Sequence, residues 1–341
     1  MHSFTEDLAV VIPNFNRVEP LRTALQSIVM QTVLPRQVLV VDDCSHRDAL
    51  EQIRLVIAEF RTALDIQLIE NSENRGANYC RNVGLRACQC RFVAFLDSDD
   101  LWLPDKIEVQ MGAVRNARNM DGRPILSATG RYRVNERGNV IALQFGGKSL
   151  RRRKLLASNF IGTLSSIIVE TWVARFIGGF DETLSACQDW DFFIRLSEYV
   201  QYVGVSEPLC VYVDHQSIRI SNNGRKRLIS HMLMFRKYIS GDTAVNRGEL
   251  YRNIAEDLQA LGKYTFARRF LLRALREQLL HKEFGRFSEL LAMGWIGPLF
   301  GLDIKDARYR KYKTSVALAR KKENQRMQRD QQTIYCLICS P

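Results

Sequence analysis

Residues 95–102 read FLDSDDLW, and the apolar run 92–96 ends in Asp97, Ser98, Asp99 and Asp100, three carboxylates in four positions. Carboxylates so close together repel one another, so the stretch is either a solvated loop or part of a cation site. Two acids one residue apart can both face a ligand if the chain bends at the strand end. Magnesium or manganese takes oxygen ligands and keeps waters and substrate phosphates in its shell. Held here, such an ion would neutralise a diphosphate leaving group. Three more polar clusters follow apolar runs: Pro13-Asn14-Phe15-Asn16-Arg17, Asp42-Asp43-Cys44-Ser45 and Asn74-Arg75-Gly76. Phe15 offers a face for a base to stack on, Asp43 an acceptor for a base or ribose, and Arg75 a partner for phosphate ahead of a helix. Each also has an ordinary reading, as core, helix cap and surface residue respectively.

The elements that must position these residues alternate. Residues 8–12, 38–41, 66–69 and 92–96 are short apolar runs that read as buried strands. Between them, Leu21, Ala24, Leu25, Ile28 and Val29 form a helix stripe, Ile53, Val56, Ile57 and Phe60 a second, and residues 77–88 a third helix. Strand–helix alternation predicts a parallel, doubly wound sheet, whose ligands bind beyond the carboxyl ends of the strands. All four polar clusters fall on that rim. Beyond Pro104 the pattern loosens. Residues 124–145 read as two strands around a turn at 135–139, the basic run 151–154 as a loop, 161–169 and 201–213 as strands, and 189–199 as a helix. From Asn223 the chain turns helical, with a hairpin broken at Gly262, and 305–332 reads as a solvated charged helix or a partly disordered segment.

Charge follows this division. The chain of 341 residues carries a net charge of +12, and residues 225–341 hold 24 Lys+Arg against 11 Asp+Glu, so the excess belongs to the C-terminal third. Such a surface suits anionic partners. Nucleic acid is not expected, because aromatics do not interleave with the basic residues. Eight irregularly spaced cysteines in so long a chain read as reduced, and Cys336-Leu-Ile-Cys339 is a lone pair without a second. The N-terminus has acids where a signal peptide needs bases. The apolar run 290–302 is shorter than the ~20 residues a spanning helix needs. A cytoplasmic location is expected, with peripheral contact to the inner face of the membrane through the basic helices and the 295–302 stretch.

Five ordered blocks, VVIPNFNR (10–17), VVDDCS (40–45), NRGANYCRNVGL (74–85), FLDSDDLW (95–102) and GGFDETLSACQDWDF (178–192), resemble the inverting glycosyltransferases of family 2, which have the GT-A fold. The resemblance implies a nucleotide-sugar donor, commonly a UDP-sugar, a divalent cation (Mn or Mg), and a saccharide or lipid-linked acceptor, as in surface polysaccharide assembly. It places Pro13, Phe15, Arg17, Asp43, Arg75 and Asp97 at the nucleotide-sugar. Asp97 and Asp99 become metal ligands, with His215 as a third, while Asp100 shapes the loop. An inverting transfer needs one base to take the acceptor proton. The resemblance gives that role to Asp189, with Asp191 as the alternative; Gln188 stands where the family has glutamate. Asp189 also reads as a helix N-cap.

The expected architecture is therefore α/β: a GT-A domain over residues 1–222, with a nucleotide half at 7–103 and an acceptor half at 104–222, and a basic helical region over 223–341. Two rivals remain. A nucleotidyltransferase would need a Gly-rich, lysine-bearing loop after the first strand, where PNFNR has none. A non-catalytic protein that binds a nucleotide-sugar, or a partner through its helical tail, would have no use for Asp97, Asp99 and Asp189 together.

Overall fold

The computed structural model describes residues 5–117, 122–147, 149–214, 224–239, 247–280 and 324–339. Its N-terminal half is the alternation read from the sequence: β1 (Thr5–Asn14), α1 (Glu19–Val29), β2 (Leu34–Asp42), α2 (Arg47–Phe60), β3 (Ile66–Glu70), α3 (Ala77–Ala87) and β4 (Phe92–Phe95). These four strands pair in parallel in the order β3-β2-β1-β4. β1 is buried without a break from Leu8 to Asn14, because both sheet faces are covered. Leu8, Val10 and Ile12 pack beneath Leu21 and Leu25 of α1 and Ile53 of α2. Ala9 and Val11 face Cys80 and Leu85 of α3. α3 lies close because Gly84 has no side chain; a Cβ there would meet Val11 Cγ1 at 2.4 Å.

The second half departs from a parallel sheet. It contains β5 (Asp100–Trp102), α4 (Lys106–Ala117), β6 (Ile125–Asn135), β7 (Val140–Gln144), α5 (Arg152–Ala157), β8 (Ile167–Glu170), α6 (Thr171–Phe176), α7 (Gln188–Leu196) and β9 (Gln201–Asp214). The sheet continues β4-β8-β6-β9-β5, with β7 on β6. Here only β6–β9 is parallel; β4–β8, β6–β8, β6–β7 and β5–β9 are antiparallel. The basic run 151–154 enters helix α5 rather than a loop, since Leu155 and Leu156 bury one side of it. The strand expected over 161–169 shrinks to β8. Gly162 takes a positive φ of 99°, and Leu164–Ser166 is a 3-10 turn.

The described residues of the C-terminal region are helical: α8 (Gly224–Met234) running into a π-turn (Phe235–Ile239), then α9 (Gly248–Ala260) and α10 (Tyr264–Leu280), separated at Gly262. α11 (Asn324–Cys339) overlaps the segment read as solvated, yet Ile334 and Leu337 pack against Tyr132, Val134 and Val211 of the sheet. Tyr132 donates to Asp330 at 2.9 Å, and Gln331 Nε2 to the Gly138 carbonyl at 2.6 Å. The apolar stretch 295–302 lies outside the described residues. Among the described residues no helix is long and apolar enough to cross a membrane.

One buried cation stands out in the packing. Lys106 has no exposed surface; its ammonium donates to Gln110 Oε1 at 2.9 Å and sits 3.8 Å from the Trp102 ring centroid. Burial pulls its pKa down to about 7, against which Cys210 acts weakly. Above that pH the folded chain has shed a proton that the unfolded chain keeps up to its ordinary value near 10.5. This group therefore makes stability rise with pH across that interval. Thermal unfolding of wild type and Lys106→Met at pH 7 and pH 9 tests it. The wild type is expected to gain about 5 °C relative to the variant.

Candidate active site

The two loops at the ends of β1 and β2 are tied to each other. Asn16 adopts a left-handed conformation, as asparagine tolerates, and its backbone N–H donates to Ser45 Oγ at 2.7 Å. Asn16 Oδ1 in turn accepts the His46 N–H at 2.8 Å. The turn lifts Phe15 to the surface, 42% exposed and tilted against His46, while Pro13 stays buried. Asp42 is turned onto Ser45 N and Oγ at 2.8 and 2.6 Å. Asp43 accepts the backbone N–H groups of Arg75 and Gly76 at 2.9 and 2.7 Å. Its carboxylate thus shapes the loop that carries Arg75, whose guanidinium lies 3.8 Å from the Tyr79 ring centroid and 3.5 Å from Glu182.

The acidic strand end is resolved into separate partnerships. Asp97 Oδ1 accepts Arg81 Nη2 at 2.5 Å, and Arg81 is almost wholly buried on α3. Asp99 pairs with Arg17 at 2.6 Å. Asp100 faces inward, accepting Ser165 Oγ at 2.7 Å. Asp97 and Asp99 thus supply two carboxylates, the hard oxygen donors that Mg or Mn takes, and both keep partial solvent exposure. No group of three His, Cys, Asp or Glu side chains poised for a metal occurs among the described residues. His215 lies outside them.

Asp189 occupies the first turn of α7, launched by Cys187 in a left-handed conformation. Its Oδ1 accepts the Trp190 N–H at 2.8 Å, and its Oδ2 accepts Asn159 Nδ2 at 2.9 Å. Burial raises its pKa above the usual carboxylate range; the Trp190 N–H, Arg131 and Arg81 work against that rise, and Asp97 adds to it. The Asp97 charge is therefore near enough to act on Asp189. Asp191 is fully buried and engaged by Arg195 Nε at 2.8 Å, Lys237 at 2.7 Å and Tyr238 at 2.5 Å.

Sequence reasoning passed over several of these groups. Asn78, Arg81 and Asn82 recur at helical spacing on a face that should be apolar, and buried polar groups require partners. Asn78 and Asn82 donate to the carbonyls of Asp181, Leu184 and Phe180 at 2.9, 3.0 and 2.9 Å, fixing the loop that leads to α7. Arg131 of β6 gave no local signal. Its guanidinium fills the space above Gly162, where a Cβ would meet it at 1.8 Å. Asn159 caps the same Gly162 turn, accepting its N–H at 2.9 Å, and so joins it to Asp189.

A curled mixed sheet with these loops on its rim is a GT-A fold, and residues 9–170 match the family model described as Glycosyl transferase family 2. Over that span, just under half of its length, the chain is similar to the family 2 glycosyltransferases. It is similar to the UDP-Glc:alpha-D-GlcNAc-diphosphoundecaprenol beta-1,3-glucosyltransferase WfgD of Escherichia coli, 27% identical over 169 residues, which are 50% of this chain and 62% of that protein. The chain thus spans less than two thirds of that relative. Among solved structures, S. aureus TarS 1-349 in complex with UDP-GlcNAc superposes with a TM-score of 0.55 at 17% identity, covering 86% of this chain and 92% of that one. Mannosyltransferase PcManGT from Pyrobaculum calidifontis, in complex with GDP-Man and Mn2+, gives 0.54 at 20% identity, over 93% and 87%. At these identities the structures establish the fold alone.

Arg131 supports the ionised form of Asp189 against burial, so its loss should raise the Asp189 pKa further. In Arg131→Met, the acid limb of the pH–activity profile is expected to move to higher pH. Arg131→Lys should restore much of the shift, and the profile of nucleoside diphosphate release checks both.

Proposed function

We propose that this chain transfers a sugar from a UDP-sugar to a saccharide or lipid-linked acceptor, with inversion, in the assembly of a surface polysaccharide. The observation that carries the reading is Asp189: a partly buried carboxylate oriented by Trp190 and Asn159, with a pKa raised by burial and by the nearby Asp97 charge. WfgD, by its name, takes a UDP-sugar to a lipid-linked diphosphate sugar, which supports this choice of donor and acceptor.

Phe15 stacks on the base, with Pro13 behind it. Asp43 orders the Asn74–Gly76 loop and contacts the base. Arg75 and Arg17 face the diphosphate. Asp97 and Asp99, with His215, would hold a Mn or Mg ion, which would supply positive charge to the departing diphosphate. PcManGT, whose complex contains Mn2+, supports that assignment. Asp189 takes the proton of the acceptor hydroxyl as its oxygen bonds to the anomeric carbon. The bond to the diphosphate breaks on the opposite face, so a single displacement inverts the centre. Asp191 is not the base in this reading, because Arg195, Lys237 and Tyr238 occupy its carboxylate.

Peripheral membrane contact belongs to the same proposal. The outward face of α10 exposes Arg268, Arg269, Arg273 and Arg276 together with Phe266, Leu272, Leu279 and Leu280. A basic face with apolar side chains among the charges suits an anionic leaflet. The protein is expected to float with phosphatidylglycerol vesicles and not with phosphatidylcholine vesicles, and replacing the four arginines by glutamate should abolish flotation.

The reaction is tested by nucleoside diphosphate release from a donor panel, with and without manganese. Asp189→Asn is expected to bind UDP as wild type does and to lose transfer by 10²- to 10⁴-fold, the range for one general base (roughly). Asp99→Ala should lose manganese-dependent UDP binding. Wild-type transfer rates in Asp189→Asn would refute the base assignment.

A further inference from the structure

The C-terminal helical region grips the segment that carries Asp189. Ser230 Oγ of α8 accepts the Ala186 N–H at 3.0 Å. The His231 ring stands edge-on to Trp190, centroids 6.2 Å apart. At the π-turn, Lys237 donates to Asp191 Oδ1 at 2.7 Å and Tyr238 to the same oxygen at 2.5 Å. These contacts fall on residues 186, 190 and 191, on either side of the base.

Lys237 has a second partner. Its ammonium also donates to Asp181 Oδ2 at 2.8 Å, in the loop between α6 and α7. The Asp181 carbonyl accepts Asn78 Nδ2 at 2.9 Å, Asn78 Oδ1 accepts Arg81 Nη1 at 3.2 Å, and Arg81 pairs with Asp97 at 2.5 Å. A chain of polar contacts therefore runs from Asp97, on the donor side, through α3 and the 181 loop to Lys237, and from there to α7. Without a cation between them, Asp181 and Asp191 would face each other as like charges. Burial opposes the ammonium, yet its hydrogen bonds to both carboxylates hold its pKa above the ordinary lysine value.

We propose that Lys237, with Tyr238 beside it, is a positioning residue for the transfer reaction: it ties the donor-side network to the base helix and makes the C-terminal helical region part of the catalytic machinery. The proposal rests on Asp189 being the base. Lys237 touches neither the rim loops nor Asp189 itself, so its loss acts on where the base sits and not on nucleotide affinity. Its side chain is 38% exposed, so water can replace it and Lys237→Met should fold.

The experiment compares wild type, Lys237→Met, Lys237→Arg, Asp181→Asn, the Asp181→Asn/Lys237→Met double variant and Asp189→Asn in the full chain. Transfer kinetics, calorimetric binding of UDP with manganese and the melting temperature are measured for each. Lys237→Met is expected to lower kcat by about 10- to 100-fold, the scale of a misplaced catalytic group. UDP affinity, binding stoichiometry and donor KM should stay within about twofold, a split that a merely structural role would not give. Lys237→Arg should recover most of kcat. The double variant should be no slower than Lys237→Met, as expected for residues acting through one contact. The proposal is overturned if Lys237→Met keeps wild-type kcat while Asp189→Asn is inactive, or if its kcat and UDP stoichiometry fall in proportion. Full transfer by Asp189→Asn would remove the base reading, and this proposal with it.

Discussion

The arrangement of this molecule depends on keeping several carboxylates together near the carboxyl end of β4 without letting them drive it apart. Asp97, Asp99, Asp100 and Asp189 converge there, and each is accommodated differently. Asp97 has a buried arginine, Arg81, at 2.5 Å. Asp99 has the half-exposed Arg17. Asp100 is turned into the protein onto Ser165. Asp189 is accommodated by a raised pKa and hydrogen bonds from Trp190 and Asn159. Removing Asp97 would leave the nearly buried Arg81 guanidinium without its counter-charge. The Arg81–Asp97 pair is therefore the contact around which α3, β4 and the following loop must be built. Gly84, Asn78 and Asn82 fit that requirement: the first lets α3 approach β1, and the other two bind the loop leading to α7.

How much of this could be read from the chain depended on how local the cause was. The four parallel strands and three helices of the first half were legible, because burial on both faces turns a strand into a continuous apolar run and each helix shows its stripe. β5 was not, because Asp100, Leu101 and Trp102 become a strand only through pairing with Tyr212, Val211 and Cys210, more than a hundred residues away. The basic run 151–154 misled because its own residues point outward and the two leucines that follow decide the helix. The resemblance named Asp43 and Arg75 separately, while their mutual dependence through backbone N–H groups is a property of the folded loops. Arg131 was invisible for a similar reason: what gives it a role is Gly162, thirty-one positions on.

The C-terminal third shows the same limit in its charge. Counted along the chain, its excess of basic residues suggests one surface and one function. In the folded chain, Lys237 turns inward to two carboxylates, and Arg227 pairs with the nearly buried Asp257. The arginines of α10 remain outside with exposed apolar side chains. Net charge fixes the sign of what such a region attracts and says nothing about how many of its cations are already committed internally.

Asp189 and Asp191 make the point at the scale of one helix. They lie two residues apart in the motif QDWD, and their order in the chain cannot separate them. On an α-helix, positions i and i+2 are about 200° apart around the axis. If one carboxylate faces Asn159, the other must face away from it, into whatever packs behind the helix. Behind α7 that is the π-turn after α8, so Asp191 meets Lys237 and Tyr238 while Asp189 meets Asn159. Trp190, between them, donates its indole N–H to the Leu155 carbonyl at 2.5 Å and so resists rotation of α7. The division of labour between the two acids follows from the helix period together with a C-terminal region on the far side to receive the second one.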